Sequence, residues 1–140
     1  MIKITDSEEE TENLGHDFAS GLNAGDFVAL YGELGSGKTA FARGICRRFN
    51  CLIEAHSPTF NIINFYPGSI EIAHIDLYRI DSGVEEIGWS DILGTGRVVI
   101  VEWPEKAKKD LPQKRFDVFF KIIDPETREI RIEKKNDSGD

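Results

Sequence analysis

An α/β fold with a mixed central sheet, flanking helices and a C-terminal β-hairpin is predicted by three observations. First, the apolar run Phe27-Val28-Ala29-Leu30-Tyr31 leads through a Gly-rich stretch into a segment where Phe41, Ile45 and Phe49 recur at helical spacing. That is strand, loop and helix in direct succession. Second, Val98-Val99-Ile100-Val101 has the unbroken apolar character of a strand buried on both faces. Third, residues 115 to 123 and 128 to 134 read as two strands joined by the turn Asp124-Pro125-Glu126-Thr127.

The elements follow in chain order. Met1 to Thr5 alternates apolar and polar residues, the pattern of a first strand. Ser7 and Glu10 have capping-box spacing, so a helix begins near residue 8, with Leu14, Phe18 and Leu22 as its apolar face and Asn23-Ala24-Gly25 as its end. The strand at 27 to 31, the Gly-rich loop and the helix bearing Phe41, Ile45 and Phe49 come next. Residues 51 to 60 are irregular and contain Ser57-Pro58-Thr59-Phe60. Asn61 to Tyr66 and Glu71 to Leu77 read as strands around a Pro67-Gly68 turn, a hairpin that makes the sheet mixed. Ser82 and Glu85 repeat the capping-box spacing and predict a short helix at 83 to 88. Residues 97 to 102 form the central strand, 104 to 113 a charged loop or short helix, and Asn136 to Asp140 a frayed polar tail. Residues 1 to 135 are read as one domain.

The 140 residues are enough to bury a core without disulfides or a structural metal. No apolar stretch approaches a membrane span, and the N-terminus lacks a signal-peptide pattern. Cys46 and Cys51 make neither a disulfide framework nor a zinc pattern, and are read as reduced thiols of a cytoplasmic protein. The formal net charge of −8 is opposite in sign to that of a free-standing nucleic-acid binder. Two local basic clusters, Arg43, Arg47 and Arg48, and Lys106 to Arg115, are read as solvated surface. Any RNA contact is therefore expected through a local patch or a partner protein.

The Gly-rich loop carries the chemistry. Gly32-Glu33-Leu34-Gly35-Ser36-Gly37-Lys38-Thr39 is a full match to the phosphate-binding pattern G-x-x-x-x-G-K-[ST], and it predicts a P-loop NTPase fold. The glycines let successive backbone N–H groups face an anion. Lys38 reaches the β- and γ-phosphates, and the Thr39 hydroxyl can take one position on Mg²⁺. The following helix, from Ala40 onward, offers its positive N-terminus to the same phosphates. Hydrolysis needs further groups. Mg²⁺ calls for an acid at the carboxyl end of a neighbouring strand, and the attacking water needs a positioning group. Asp76 and Glu102 each end an apolar strand and are the candidates. Thr59 is a third, in the kind of loop that senses a γ-phosphate, although Ser57-Pro58-Thr59 also reads as a plain turn. Trp103 is either a core anchor or an aromatic at the site edge. Tyr78 and Arg79 divide in the same way. His56 and His74 lack metal-ligand spacing and are read as structural.

The phosphate loop, Ser-Pro-Thr-Phe at 57 to 60, His-Ile-Asp-Leu-Tyr-Arg at 74 to 79 and Val-Glu-Trp at 101 to 103 together resemble the TsaE (YjeE) family. These are small bacterial ATPases of threonylcarbamoyl-adenosine tRNA modification. The resemblance runs in order from about Ser7 to Arg128. It implies ATP on the loop backbone and Lys38, Mg²⁺ on Thr39 and Glu102 with Asp76 close by, and Thr59 reporting on the γ-phosphate. It also implies that Glu8 and Arg128 lie near the nucleotide. Glu33 and Ser36 stand where the family often has Asp and Ala, and neither change removes a backbone donor. The implied partners are TsaD- and TsaB-like proteins that carry out the transfer reaction, with ATP hydrolysis resetting the complex. Two other classes share the loop. A small-molecule kinase using the same loop and Asp76 is the runner-up, and the lack of a lid-sized Arg-rich insertion to exclude water counts against it. A GTP switch would need an Asn-Lys-x-Asp segment, also missing, and Asp91-Ile92-Leu93-Gly94 precedes a strand where a switch loop should follow one.

Overall fold

The computed structural model describes residues 1–52, 55, 62–81 and 83–136. Thr59 and its neighbours Ser57, Pro58 and Phe60, together with His56, Asn61, Ser82 and most of the polar tail, lie outside the described residues. The strands are β1 (Ile2–Thr5), β2 (Phe27–Tyr31), β3 (Ile63–Tyr66), β4 (Ile72–Asp76), β5 (Val98–Glu102), β6 (Arg115–Ile122) and β7 (Arg128–Lys135). The helices are α1 (Glu8–Ala19), α2 (Lys38–Arg48) and α3 (Trp89–Leu93), with 3₁₀ turns at Val84–Ile87 and Pro104–Ala107.

All the described strands join one mixed sheet in the order β1-β7-β6-β2-β5-β4-β3. The four inner strands β6, β2, β5 and β4 run parallel. Antiparallel β3 closes one side, and the β6–β7 hairpin with β1 closes the other. The period-two alternation of strand side chains sorts the core into two layers. On one face, Val28, Leu30, Ile100 and Val118 pack under Phe41 and Ile45 of α2 and Phe18 of α1. On the other, Phe27, Ala29, Val99 and Val101 pack against Val84, Trp89, Ile92 and Ala107. Both faces of the inner strands are buried, which is why β2 and β5 read as unbroken apolar runs.

The α1 N-terminus forms as its residues dictate. The Ser7 side chain accepts from the Glu10 backbone N–H at 3.0 Å, and the Glu10 carboxylate reaches back to the Asp6 N–H at 2.8 Å. A cap of this kind stabilises a helix by about 1 kcal/mol. The helix stops at Ala19, earlier than the Asn23-Ala24-Gly25 signal suggests. Ser20 turns its hydroxyl onto the Asp17 carbonyl, and Leu22 is buried from the turn that follows.

Helices α1 and α2 cross with backbones in contact. A Cβ on Gly44 would fall on the Glu12 carbonyl, and one on Gly15 on the Phe41 carbonyl. Across this crossing Arg43 pairs with Glu8 and Glu12, and Arg47 bonds Glu12 at 2.7 Å and Asn13 at 3.3 Å. Two of the three arginines read as solvated surface therefore clamp the helix pair. The short helix expected at 83 to 88 is the 3₁₀ turn Val84–Ile87, entered from Gly83 without a side-chain cap. Helix α3 was not foreseen, and it absorbs Asp91, Ile92 and Leu93. Its Trp89 indole N–H donates to the Asp110 carbonyl at 3.1 Å, anchoring the charged segment beyond β5.

Candidate nucleotide-binding site

The loop between β2 and α2 ends at Gly37, whose φ of 107° lies in the left-handed region that only glycine enters freely. This geometry starts α2 at Lys38, inside the motif itself. No side chain caps the helix, and its first turn carries no acid, whereas the first turn of α1 carries Glu8, Glu9 and Glu10. An uncapped N-terminus with no acid in its own first turn suits an anion.

Beside it lies a cavity of about 580 Å³. Leu34, Gly35, Gly37, Lys38, Thr39 and Ala40 form its floor, and Glu102 stands at one side. The opposite wall comes from Asp6, Ser7, Glu8 and Thr11 at the start of α1, and from Pro125, Glu126 and Arg128 of the hairpin. Glu8 and Arg128 are thus both on the wall, although 120 residues of sequence separate them. Arg128 is held by the Asp124 carbonyl at 2.9 Å and itself donates to the Gly35 carbonyl at 3.0 Å, tying the hairpin to the phosphate loop. The turn that presents it is built by Asp124, whose carboxylate accepts from the Glu126 and Thr127 N–H groups.

Lys38 is buried, and its ammonium donates to the Gly32 carbonyl at 2.7 Å. It sits 3.8 Å from Glu102 Oε1 and 4.9 Å from the centre of the Trp103 ring. Trp103 follows Glu102 with φ 58°, a conformation that costs a bulky residue about 1–3 kcal/mol and is characteristic of functional sites. Its ring also meets Tyr78 at 5.0 Å. Trp103 therefore touches the loop lysine while also packing, partly buried, against the second core layer.

Asp76 and Glu102 are direct register partners on adjacent parallel strands, so their side chains leave the sheet on the same face at the same carboxyl end. Glu102 lines the cavity, and Asp76 is not among its lining residues. Their environments push them apart. Burial acts to raise the Glu102 pKa, but the hydrogen bond and charge of His74, with the Lys38 ammonium, outweigh it and hold the carboxyl below its usual range. Burial raises the Asp76 pKa, the Tyr78 N–H bond opposes this, and the Glu102 charge adds to it.

His74 is the residue that spacing alone passed over. It is fully buried, two positions before Asp76 on the same face of β4, with Nε2 2.7 Å from Glu102 Oε2. The strand alternation His74-x-Asp76 was the signal that could have found it. Asp6 and Ser7, just before α1, and Thr11 within it were missed because nothing local in the sequence announces which loop ends converge.

The donor set fits a Mg²⁺-bound nucleoside triphosphate. Among the described residues no three acids, histidines or cysteines cluster into a protein-only metal cage. Magnesium needs no such cage, being held by one or two protein oxygens together with phosphates and water. Thr39 and Glu102 on the cavity wall are the oxygens available for that arrangement.

Known proteins are similar to this chain in sequence and fold. The family model described as threonylcarbamoyl adenosine biosynthesis protein TsaE matches residues 5–131. The tRNA threonylcarbamoyladenosine biosynthesis protein TsaE of Rickettsia typhi is 39% identical over 135 residues, covering 93% of this chain and 92% of that one. Its namesake from Bacillus subtilis is 33% identical over 127 residues, covering 90% and 80%. The crystal structure of Bacillus subtilis YdiB superposes with a TM-score of 0.82 at 27% identity, covering 99% of this chain and 87% of that one. No described helix is long and apolar enough to cross a membrane.

Proposed function

Since this chain belongs to the TsaE family, we propose that it binds ATP with Mg²⁺ and hydrolyses it in the service of threonylcarbamoyl-adenosine modification of tRNA. The observation that carries the reading is the convergence at one cavity of an uncapped, acid-free helix N-terminus, the loop lysine and a buried carboxylate 3.8 Å from it. The first two bind phosphate; the third gives the site a group that can act on water or metal.

In this reading the loop backbone and Lys38 hold the β- and γ-phosphates, and Lys38 exchanges its bond to the Gly32 carbonyl for phosphate oxygen. Thr39 and Glu102 are the protein's magnesium ligands, and the ion, when bound, offsets charge on the β- and γ-phosphates. Glu102, held anionic by its neighbours, orients the attacking water by accepting a hydrogen bond. Asp76, at the end of the next strand, would hold the ion or its water shell. Arg128 and Glu8 border the nucleotide from the far wall. Thr59 senses the γ-phosphate, and Trp103 with Tyr78 passes the state of Lys38 to a partner surface. The partners are TsaD- and TsaB-like proteins, which perform the transfer while ATP hydrolysis drives their cycle.

The test is phosphate release from Mg-ATP by the wild-type chain and by Lys38→Ala, with and without the partner proteins. Release without any acceptor, stimulated by partners, is expected. Lys38→Ala should weaken ATP binding by about 10–100-fold, the loss of one charge-assisted hydrogen bond, while keeping the fold. Unchanged hydrolysis in that variant would sink the site assignment, and transfer to a small-molecule hydroxyl in place of phosphate release would make the protein a kinase.

A further inference from the structure

A line of buried polar side chains leads away from the cavity and into the core. The Tyr66 hydroxyl lies 3.1 Å from His74 Nδ1, and His74 Nε2 lies 2.7 Å from Glu102 Oε2. Tyr66, His74 and Glu102 are 1%, 0% and 3% exposed. They come from β3, β4 and β5, three neighbouring strands. A buried imidazole is costly unless both ring nitrogens are partnered, and here both are. Apolar residues occupy the neighbouring positions, since Ile72 shares the face of β4 with His74 and Ile100 is its register partner on β5. A polar chain retained in such a core, ending on the carboxylate that faces the phosphate loop, calls for a role at that carboxylate.

We propose that His74, fixed by Tyr66, is a positioning residue for Glu102: it engages Oε2 and leaves Oε1 to face Lys38 and the nucleotide. The contact between Tyr66 and Nδ1 sets the ring so that Nε2–H points at the carboxylate. With Oε2 engaged by His74, the other carboxylate oxygen of Glu102 stands 3.8 Å from the Lys38 ammonium. A carboxylate that orients water or metal must be held to a fraction of an ångström, and the side chains behind it supply that precision. The proposal rests on Glu102 acting in hydrolysis as set out above, and it assigns the residues that make it effective.

The experiment compares His74→Leu, His74→Gln, Tyr66→Phe and Glu102→Ala with the wild type, measuring Mg-ATP affinity and the single-turnover hydrolysis rate separately. Imidazole ¹⁵N NMR of the nucleotide-free protein is the second readout. His74→Leu should slow hydrolysis about 10–100-fold with affinity changed less than about 3-fold. His74→Gln, whose amide can donate to the same oxygen, should recover most of the rate, and Tyr66→Phe should fall between. In the nucleotide-free wild type the His74 Nε2 proton should be hydrogen-bonded and should move in a Glu102→Gln variant. An inactive Glu102→Ala beside a fully active His74→Leu overturns the positioning role and leaves the proposed function standing. A fully active Glu102→Ala overturns both. His74→Gln no faster than His74→Leu assigns the histidine to packing and overturns the proposal. So does a His74 Nε2 proton indifferent to Glu102→Gln, a result that stands even where His74→Leu fails to fold.

Discussion

Glu102 and Asp76 are chemically near-identical side chains that the fold makes unequal. They leave neighbouring strands at the same level, yet the interactions around Glu102 lower its pKa whereas burial raises that of Asp76. Two carboxylates so close are difficult to ionise together without a cation, and the Lys38 ammonium and the contact with His74 Nε2 favour the charged form of Glu102. Glu102 is therefore the standing anion, suited to accepting a hydrogen bond from water or binding metal. Asp76 is the more readily protonated of the two. Glu102→Ala should lower the hydrolysis rate about 100-fold or more and Mg-ATP affinity by much less, because the lost interaction with water is made mainly in the transition state. Separate measurement of Kd and single-turnover rate checks this. A matching loss in both would make Glu102 chiefly a metal ligand. The sequence made these two acids visible through their strand-end positions. It could not show that they are register partners, nor that His74 backs only one of them, because parallel pairing joins strands distant in the chain.

At the scale of elements, the phosphate loop is only as well placed as α2, and α2 is placed by α1. Gly44 and Gly15 let the two backbones touch, and Arg43 and Arg47 lock the crossing to Glu8 and Glu12. Helix propensity alone favours Gly44→Ala by about 1 kcal/mol. Packing decides the other way, since the new methyl would meet the Glu12 backbone, which cannot rotate aside. The variant should be destabilised by about 1–3 kcal/mol in denaturant unfolding and should bind ATP more weakly, as the cavity wall at Ser7 and Glu8 shifts with α1. Gly21→Ala, whose methyl would meet only the Phe18 carbonyl at 3.8 Å, should be close to neutral. The arginine clamp has a pH signature. Burial tends to raise the Glu12 pKa, but hydrogen bonds from Arg47 and Arg43 outweigh it and hold the carboxyl below its ordinary value of 4.5. The folded chain then binds fewer protons at Glu12 than the unfolded chain. The stabilisation is full above about pH 4.5 and is lost as pH falls through the depressed value. Glu12→Gln should be less stable than wild type at neutral pH, with the gap closing in acid. A gap constant from neutral to strongly acidic pH would remove the clamp from the account. Strands β2, β5, β6 and β7 were legible because alternation or unbroken apolarity marks them. Helix α3 was not, because its five residues are too few for a helical period to show.

The whole molecule presents its candidate phosphate site on a chain of net charge −8. Its sign matters for tRNA. A chain that grips a polyanion unaided releases counterions through a patch of free lysines and arginines. Here Arg43 and Arg47 are bonded to the acids of α1, Arg97 to Glu71, and Arg115 to Asp117. Arg128 is turned onto carbonyls of its own hairpin and of the phosphate loop. Much of the basic surface that the sequence offers is thus engaged internally, which composition alone could not reveal. The division fits a protein that handles ATP while others handle RNA, and it explains why a member of a tRNA-modification family is acidic. At near-physiological salt the isolated chain should show no saturable tRNA binding in a filter or mobility-shift assay, with or without Mg-ATP. Adding TsaD- and TsaB-like partners should bring it into a tRNA-containing complex whose affinity falls with salt. Tight, salt-sensitive binding of tRNA by the chain alone would demand a basic face, with Lys106, Lys108, Lys109 and Lys114 beyond β5 as its first members. Replacing those lysines with glutamate would then abolish it. If the partners alone contact the RNA, the same replacements should leave tRNA in the complex and ATP hydrolysis intact.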